Sequence, residues 1–137
     1  MYPPELVAPM RAELDQVGFE QAMTAEAVDA AVNSSGTVLM VLNSVCGCAA
    51  GSMRPGVKKS LMGSDKLPGK MVSSFAGVDQ DAVARARQYM LPYPPSSPCV
   101  ALFKEGKLMH MVERHHIEGR TADMIADHLK MVYQEFC

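Results

Sequence analysis

Two cysteines one residue apart, Cys46 and Cys48, with Gly47 between them and Ala49 following, are the side chains in this chain best suited to chemistry. They follow an apolar run, Thr37-Val38-Leu39-Met40-Val41-Leu42, and precede a segment with helical spacing. A dithiol between a strand end and a helix mouth meets partial positive charge and free N–H groups, both of which favour a thiolate. Gly47 is expected to let the backbone bend closely enough for the two sulfurs to meet. The first chemistry this implies is thiol–disulfide exchange. Two other uses compete. A metal-binding module would take thiolates from Cys46 and Cys48 and complete the set with Cys99 or a histidine, since zinc and Cu(I) accept such ligands. It lacks the second C-x-x-C or H-x₃-H element of a structural zinc site. A redox-sensing adaptor would use the same dithiol to switch a partner surface.

The remaining reactive side chains read more blandly. Cys99, at the head of a predicted strand, is expected to be a passive core thiol, with a third redox role as the alternative. Cys137 is the last residue, where chains fray, and is an accessory thiol at most. His110, His115, His116 and His128 are expected to be surface or hydrogen-bonding residues. Strand alternation puts His110 on the face opposite Met109 and Met111, and the adjacent His115 and His116 should point apart. No metal site is expected from them. The carboxylates are scattered, and no G-x-x-x-x-G-K-[ST] phosphate loop occurs.

Composition sets the broad class. A chain of 137 residues should form one domain, residues 1–137, able to bury a core without staples. Apolar residues make up 48% and charged residues 20%, the usual balance of a globular protein. A net charge of -2 points to neither nucleic acid nor an anionic membrane as partner. No apolar run approaches the ~20 residues that span a bilayer. The opening Met1-Tyr2-Pro3-Pro4-Glu5 has neither the basic nor the apolar region of a signal peptide, so the expected location is cytoplasmic. Four cysteines at irregular spacing do not make a secreted disulfide scaffold. The 12 methionines are expected to be mostly flexible core filler.

The elements that must position the dithiol follow from periodicity. Pro3 and Pro4 open a helix whose apolar residues Leu6, Val7, Met10, Leu14 and Val17 share a face, with Gly18 ending it. Thr24 caps a second, alanine-rich helix running to about Val32. Residues 37–42 read as a strand buried on both faces. Residues 47–62 read as a helix bent near Pro55. Lys70–Phe75 is a weaker strand, and Asp79 caps a helix carrying Val83, Ala86 and Met90. Residues 91–98 are a proline-rich extended loop. Val100–Phe103 and Leu108–Val112 flank a turn containing Gly106, a hairpin pattern. Thr121 caps a closing helix with Ile125, Leu129, Val132 and Phe136 on one face. From residue 37 the order is β-α-β-α-β-β-α. The expected fold class is α/β, a four-stranded mixed sheet flanked by helices. Residues 1–36 form an N-terminal helical extension to the core at 37–137. That extension either covers the sheet or makes a subunit contact, leaving a homo-oligomer open.

This order, with a cysteine pair between the first core strand and its helix, resembles the thioredoxin fold. Thioredoxin-like proteins place a cis-proline before the third core strand, and Ser97-Pro98 stands there. The match narrows with Cys46-Gly47-Cys48, Arg54-Pro55 in the following helix, and Ser97-Pro98 leading into Ala101-Leu102-Phe103-Lys104-Glu105-Gly106-Lys107-Leu108. With His110-Met111-Val112-Glu113-Arg114-His115 and Ile117-Glu118-Gly119-Arg120, the chain resembles the bacilliredoxin family along almost its whole length, from Tyr2-Pro3-Pro4 onwards.

The resemblance implies a small thiol–disulfide oxidoreductase that removes bacillithiol from proteins carrying it as a mixed disulfide, with weak disulfide isomerase activity in some members. It implies Cys46 as the attacking and Cys48 as the resolving cysteine, with Gly47, Ser97 and Pro98 shaping the substrate groove. No bound cofactor is implied. Bacillithiol or another low-molecular-weight thiol is the co-substrate, and the partners are S-thiolated client proteins and a recycling disulfide reductase. The small ring closed by Cys46 and Cys48 is expected to give a strained, relatively oxidising disulfide. One position departs from the resemblance, because Cys99 directly follows Pro98.

Overall fold

The apolar run at residues 37–42 becomes the central strand, and every residue of Thr37–Asn43 is buried. Val38, Met40 and Leu42 enter one core, while Leu39 and Val41 enter the other. In the computed structural model, which describes residues 1–137, the elements in chain order are α1 (Pro4–Asp15), β1 (Glu20–Gln21), α2 (Ala25–Val32), β2 (Thr37–Asn43), α3 (Arg54–Ser60), β3 (Lys70–Phe75), α4 (Gln80–Tyr89), β4 (Cys99–Lys104), β5 (Lys107–Val112), α5 (Arg114–Ile117) and α6 (Ala122–Phe136). The sheet has the order β1-β3-β2-β4-β5. β1, β3 and β2 run parallel, and β4 and β5 complete the sheet as an antiparallel hairpin.

The sheet therefore holds five strands where four were expected. The fifth, β1, has two residues, too few to carry any alternation a sequence could display. It lies inside the N-terminal extension, which covers the sheet. Leu14 of α1 packs with α3 and α6 on one face, while Val28, Ala31 and Val32 of α2 pack with α4 on the other. No helix is long and apolar enough to cross a membrane.

Local signals act as their chemistry dictates, with three exceptions. Thr24 Oγ accepts the Ala27 N–H at 3.1 Å and Thr121 Oγ accepts that of Met124 at 3.1 Å, so both threonines cap. Asp79 does not cap α4. Its carboxylate instead takes both Nη atoms of Arg11 on α1, at 2.7 and 2.9 Å, and the Phe75 N–H at 2.8 Å. A charged, forked partner outcompetes the helix end for the same oxygens. The second exception is the helix after the cysteines. A π-helical turn, Ala49–Met53, precedes α3. Pro55 has no N–H to donate and its ring crowds the carbonyl four residues back, so the helix widens before it. The third is α5, a single turn after the hairpin that periodicity could not show.

Two contacts fix α3, and through it the cysteine loop. A Cβ at Gly56 would stand 2.7 Å from Ile125 Cγ2 and 2.8 Å from Ile125 Cβ, so α3 and α6 approach closely only because position 56 lacks a side chain. Ser60 Oγ and the Tyr133 hydroxyl, 2.9 Å apart and both buried, add a polar tie between the same helices. The second contact is Arg54, 2% exposed. Its Nε donates to Glu13 of α1 at 2.7 Å, and its Nη1 donates to Asn43 Oδ1 at 3.0 Å and to the Ser44 carbonyl at 2.7 Å. Asn43 in turn donates to the Met10 carbonyl at 3.2 Å. One guanidinium thus joins α1, the end of β2 and the start of α3.

Gly56→Ala should cost about 1–3 kcal/mol by overpacking, visible as a lower denaturant midpoint with an unchanged slope. Arg54→Met, which keeps the volume but strands the Ser44 carbonyl, should cost on the order of 1–3 kcal/mol by the same measurement. A loss under about 0.5 kcal/mol would place Arg54 outside the set of residues that hold the loop.

Candidate active site

β2 delivers the chain to the dithiol and the helical stretch starting at Gly47 receives it. Between them, Ser44 turns the backbone. Its N–H donates to Asn43 Oδ1 at 2.9 Å, and its Oγ accepts the Cys46 N–H at 3.3 Å. The Cys46 carbonyl accepts the N–H groups of Ala49 and Ala50, each at 3.1 Å, which puts Cys46 at the cap of the helix. The Sγ atoms of Cys46 and Cys48 are 2.6 Å apart. Both cysteines are half-buried against the core of α1, α3 and α6.

The two thiols differ in acidity. For Cys46, burial pushes the thiol up, but hydrogen bonds outweigh it. They come from Cys48, from the Ser44 hydroxyl and from the backbone N–H groups of Ala49 and Cys48, and the net displacement is downward. These are the free donors of a helix start acting on a sulfur at the cap. Cys48 moves the opposite way. Burial raises it first, then its hydrogen bond to Cys46 and the Cys46 charge, with Arg114 opposing. Of the two, Cys46 is the more acidic thiol and Cys48 the one that holds its proton more tightly.

Across from the dithiol stands the loop before β4. The Ser97–Pro98 peptide is cis. Cys99 pairs with Leu42 in the sheet, so Pro98 lies beside the turn that leads from β2 to Cys46. Arg114, the first residue of α5, joins this loop to the dithiol. Its Nη1 donates to the Ser97 carbonyl at 3.1 Å, its N–H donates to Ser96 Oγ at 3.4 Å, and its charge acts on both sulfurs. Glu118 holds the Arg114 Nε through a short ion pair. Sequence reasoning assigned Arg114 no role. The available signal was its place between Glu113 and His115 in the segment that carries the family resemblance.

The other sequence candidates separate from this site. Cys99 is fully buried among α2 and α4 residues, on the sheet face opposite the dithiol, with its sulfur 4.0 Å from Met90 Sδ. Burial pushes its thiol up to about 12. It is a passive core thiol and supplies no third sulfur. Cys137 packs at the edge of the opposite core, its N–H bonded to the Tyr133 carbonyl at 2.9 Å. Gly47 has an exposed, ordinary helical backbone with open space where a Cβ would stand. It is not needed for a bend that brings the sulfurs together, and what it contributes is an uncovered strip of backbone between them.

All four histidines lie on β5, α5 and the middle of α6. His110 and His128 touch through their Nε2 atoms at 2.9 Å, and burial lowers both. His116 Nδ1 accepts the Glu113 N–H at 3.1 Å in a capping box that starts α5. His115 and His116 do not point apart, since their ring centroids lie 4.0 Å apart. The helical turn rather than a strand sets their directions. A cleft of about 160 Å³ opens beside them, between β5 and α6. The one three-residue group able to converge on a metal is Glu113, His115 and His116, so no third ligand stands with the Cys46 and Cys48 sulfurs.

Comparison with known proteins agrees with this geometry. The profile of a family described as disulphide isomerase matches residues 2–137. A bacilliredoxin of Cytophaga hutchinsonii is 64% identical over 135 residues, spanning 98% of this chain and 99% of that protein. A bacilliredoxin of Bacillus cereus is 45% identical over 137 residues, spanning 99% and 95%. Among solved structures, an N21Q mutant thioredoxin from Halobacterium salinarum superposes with a TM-score of 0.59 at 17% identity, covering 87% of this chain and 90% of its own. Mitochondrial thioredoxin 3 of Saccharomyces cerevisiae gives 0.58 at 12% identity, covering 85% and 94%. The fold is that of thioredoxin, and the chain belongs to the bacilliredoxin family.

Proposed function

We propose that this protein is a thiol–disulfide oxidoreductase that reduces protein mixed disulfides of bacillithiol, with Cys46 attacking and Cys48 resolving. Family membership and fold support the broader class. The observation that carries the reading is the pair of sulfurs 2.6 Å apart at a helix cap, one acidified and its neighbour held protonated. In the first step the Cys46 thiolate attacks the bacillithiol sulfur of the mixed disulfide. The client leaves as a thiolate, and a Cys46–bacillithiol disulfide forms. Attack by the Cys48 thiolate on Cys46 Sγ then expels bacillithiol as a thiolate and leaves a Cys46–Cys48 disulfide. A second bacillithiol can instead resolve the adduct. A disulfide reductase returns the two electrons.

The acidity pattern suits this order. Two of the three leading causes that raise Cys48 are its hydrogen bond to Cys46 and the charge on Cys46. Both vanish once Cys46 is tied up in a disulfide, while the Arg114 field that favours a Cys48 thiolate persists. The resolving sulfur is thus released for attack when its turn comes. Ser97 and Pro98 form the facing wall for the client chain, and the bare backbone at Gly47 leaves the approach open. The cycle uses no bound cofactor, and it belongs in a reducing, cytoplasmic compartment where close cysteine pairs act catalytically.

Cys48→Ser should accumulate a bacillithiol adduct on Cys46 when mixed with a bacillithiolated client, read by intact-protein mass spectrometry. Cys46→Ser should form none, and turnover at the wild-type rate by that variant would sink the assignment. Alkylation of Cys46 should rise with pH and level off at a midpoint below the ~8.5 of free cysteine. Cys48→Ala removes the hydrogen bond that lowers Cys46, so its midpoint should move upward, towards that of free cysteine.

A further inference from the structure

The cleft of about 160 Å³ between β5 and α6 has no part in thiol exchange, and its lining is chemically one-sided. Its floor is apolar, with Val112 and Ile125 buried beneath it. Its rim holds His110, His116, Arg120 and His128, so every polar side chain lining it is a nitrogen base and none is a carboxylate. Hydrogen bonds fix what those nitrogens can do. Nδ1 of His116 accepts the Glu113 N–H at 3.1 Å, so the ring proton sits on Nε2. His116 is thus a donor with no lone pair for a metal while α5 stays capped. His110 and His128 meet through Nε2 at 2.9 Å, a contact that needs one proton between them. Arg120 gives its carbonyl to the Ser52 hydroxyl at 2.6 Å, and its guanidinium pairs with no carboxylate.

From this geometry we infer that the cleft between β5 and α6 is a binding site for a small organic carboxylate. The carboxylate sits on Arg120 and His116, beside the His110–His128 pair, and its apolar body lies on Val112 and Ile125. Electrostatics inside the cleft agree. Burial lowers both His110 and His128, and charge within the cleft then adds to it, from His128 and His116 on the first and from Arg120 and His116 on the second. Only Glu135 opposes this, at His110. Positive groups crowd one another here, and a bound anion relieves them. A neutral molecule of the same shape keeps only the apolar contact. The inference uses none of the residues assigned to thiol exchange.

The test uses the full-length reduced protein, with benzoate as probe and benzamide as its uncharged counterpart. Histidine ring C–H resonances are followed by NMR and assigned from His110→Gln, His116→Gln and His128→Gln. Benzoate should move all three along one saturation curve, and benzamide should move them far less. Arg120→Gln keeps the carbonyl that holds Ser52, and should weaken benzoate roughly three- to tenfold without changing the response to benzamide. An unaltered thermal midpoint reports that this variant is folded. Equal binding of the two probes, or wild-type affinity for benzoate in Arg120→Gln, overturns the inference. So does the absence of a saturable shift at millimolar benzoate. One equivalent of zinc shifting the three resonances where benzoate shifts none makes the cleft a metal site and overturns it as well.

Discussion

A buried guanidinium holds the active end of this molecule in place. Arg54 is almost wholly removed from water, and a buried charge of this kind needs an opposite charge and hydrogen-bond acceptors around it. Here the acceptors are the Glu13 carboxylate, Asn43 Oδ1 and the Ser44 carbonyl. They belong to two separate stretches of chain, α1 and the end of β2, which Arg54 joins to the start of α3 just after the cysteines. Replacing such a cluster by well-packed apolar groups is often neutral in stability, so its value lies in direction. The carbonyl of Ser44 is fixed, its hydroxyl is turned toward Cys46, and Cys46 starts its helix from a defined point. Arg11 repeats the device at the start of α4 through Asp79, with its cationic face 5.3 Å over the Phe75 ring centroid. Both networks end on α1, so the N-terminal helix is part of the scaffold of the site.

From that anchored turn the chemistry follows with few parts. No histidine or lysine is among the groups that lower the Cys46 thiol. Backbone N–H groups, one serine hydroxyl and the neighbouring thiol lower Cys46 against the push of burial. Donors of this kind are fixed by the helix itself and need no reorganisation when charge appears on the sulfur. The same arrangement makes the second thiol contingent on the first, because much of what keeps Cys48 protonated is the charge on Cys46. Arg114 and its ion-pair partner Glu118 act on Cys48 from a distance in opposite directions, and Arg114 is tied to the loop that carries Pro98.

The parts of this picture legible in the sequence were those with a strong local rule. A continuous apolar run, two threonine caps, a glycine-turn hairpin and an amphipathic closing helix each imposed one answer on a short segment. The C-G-C pair and Ser97-Pro98 were legible as a candidate site because a close dithiol is rare and the element order put both segments at one end of the sheet. What escaped lacked a local rule. β1 is two residues long, α5 is one turn, and Asp79 chose a distant arginine over its own helix. Gly47 illustrates the opposite error, where a permissive residue suggested a bend that the helical backbone does not need. Arg54 and Arg114 were read only as members of a resemblance. Their roles depend on which carbonyls lie within reach after folding, and nothing in the spacing of the chain encodes that.

The sheet also sorts the sulfurs by what can reach them. Cys46 and Cys48 face one layer of helices and remain open to the outside, while Cys99, two residues' width from the loop they border, is sealed in the other layer. A thiol so placed is invisible to any reagent while the strands stay paired, and meets solvent only when β4 leaves its neighbours. The protein thus carries its own internal gauge of opening. The rate at which Cys99 becomes reactive reports how often the central sheet comes apart, in the same molecule that carries the accessible pair.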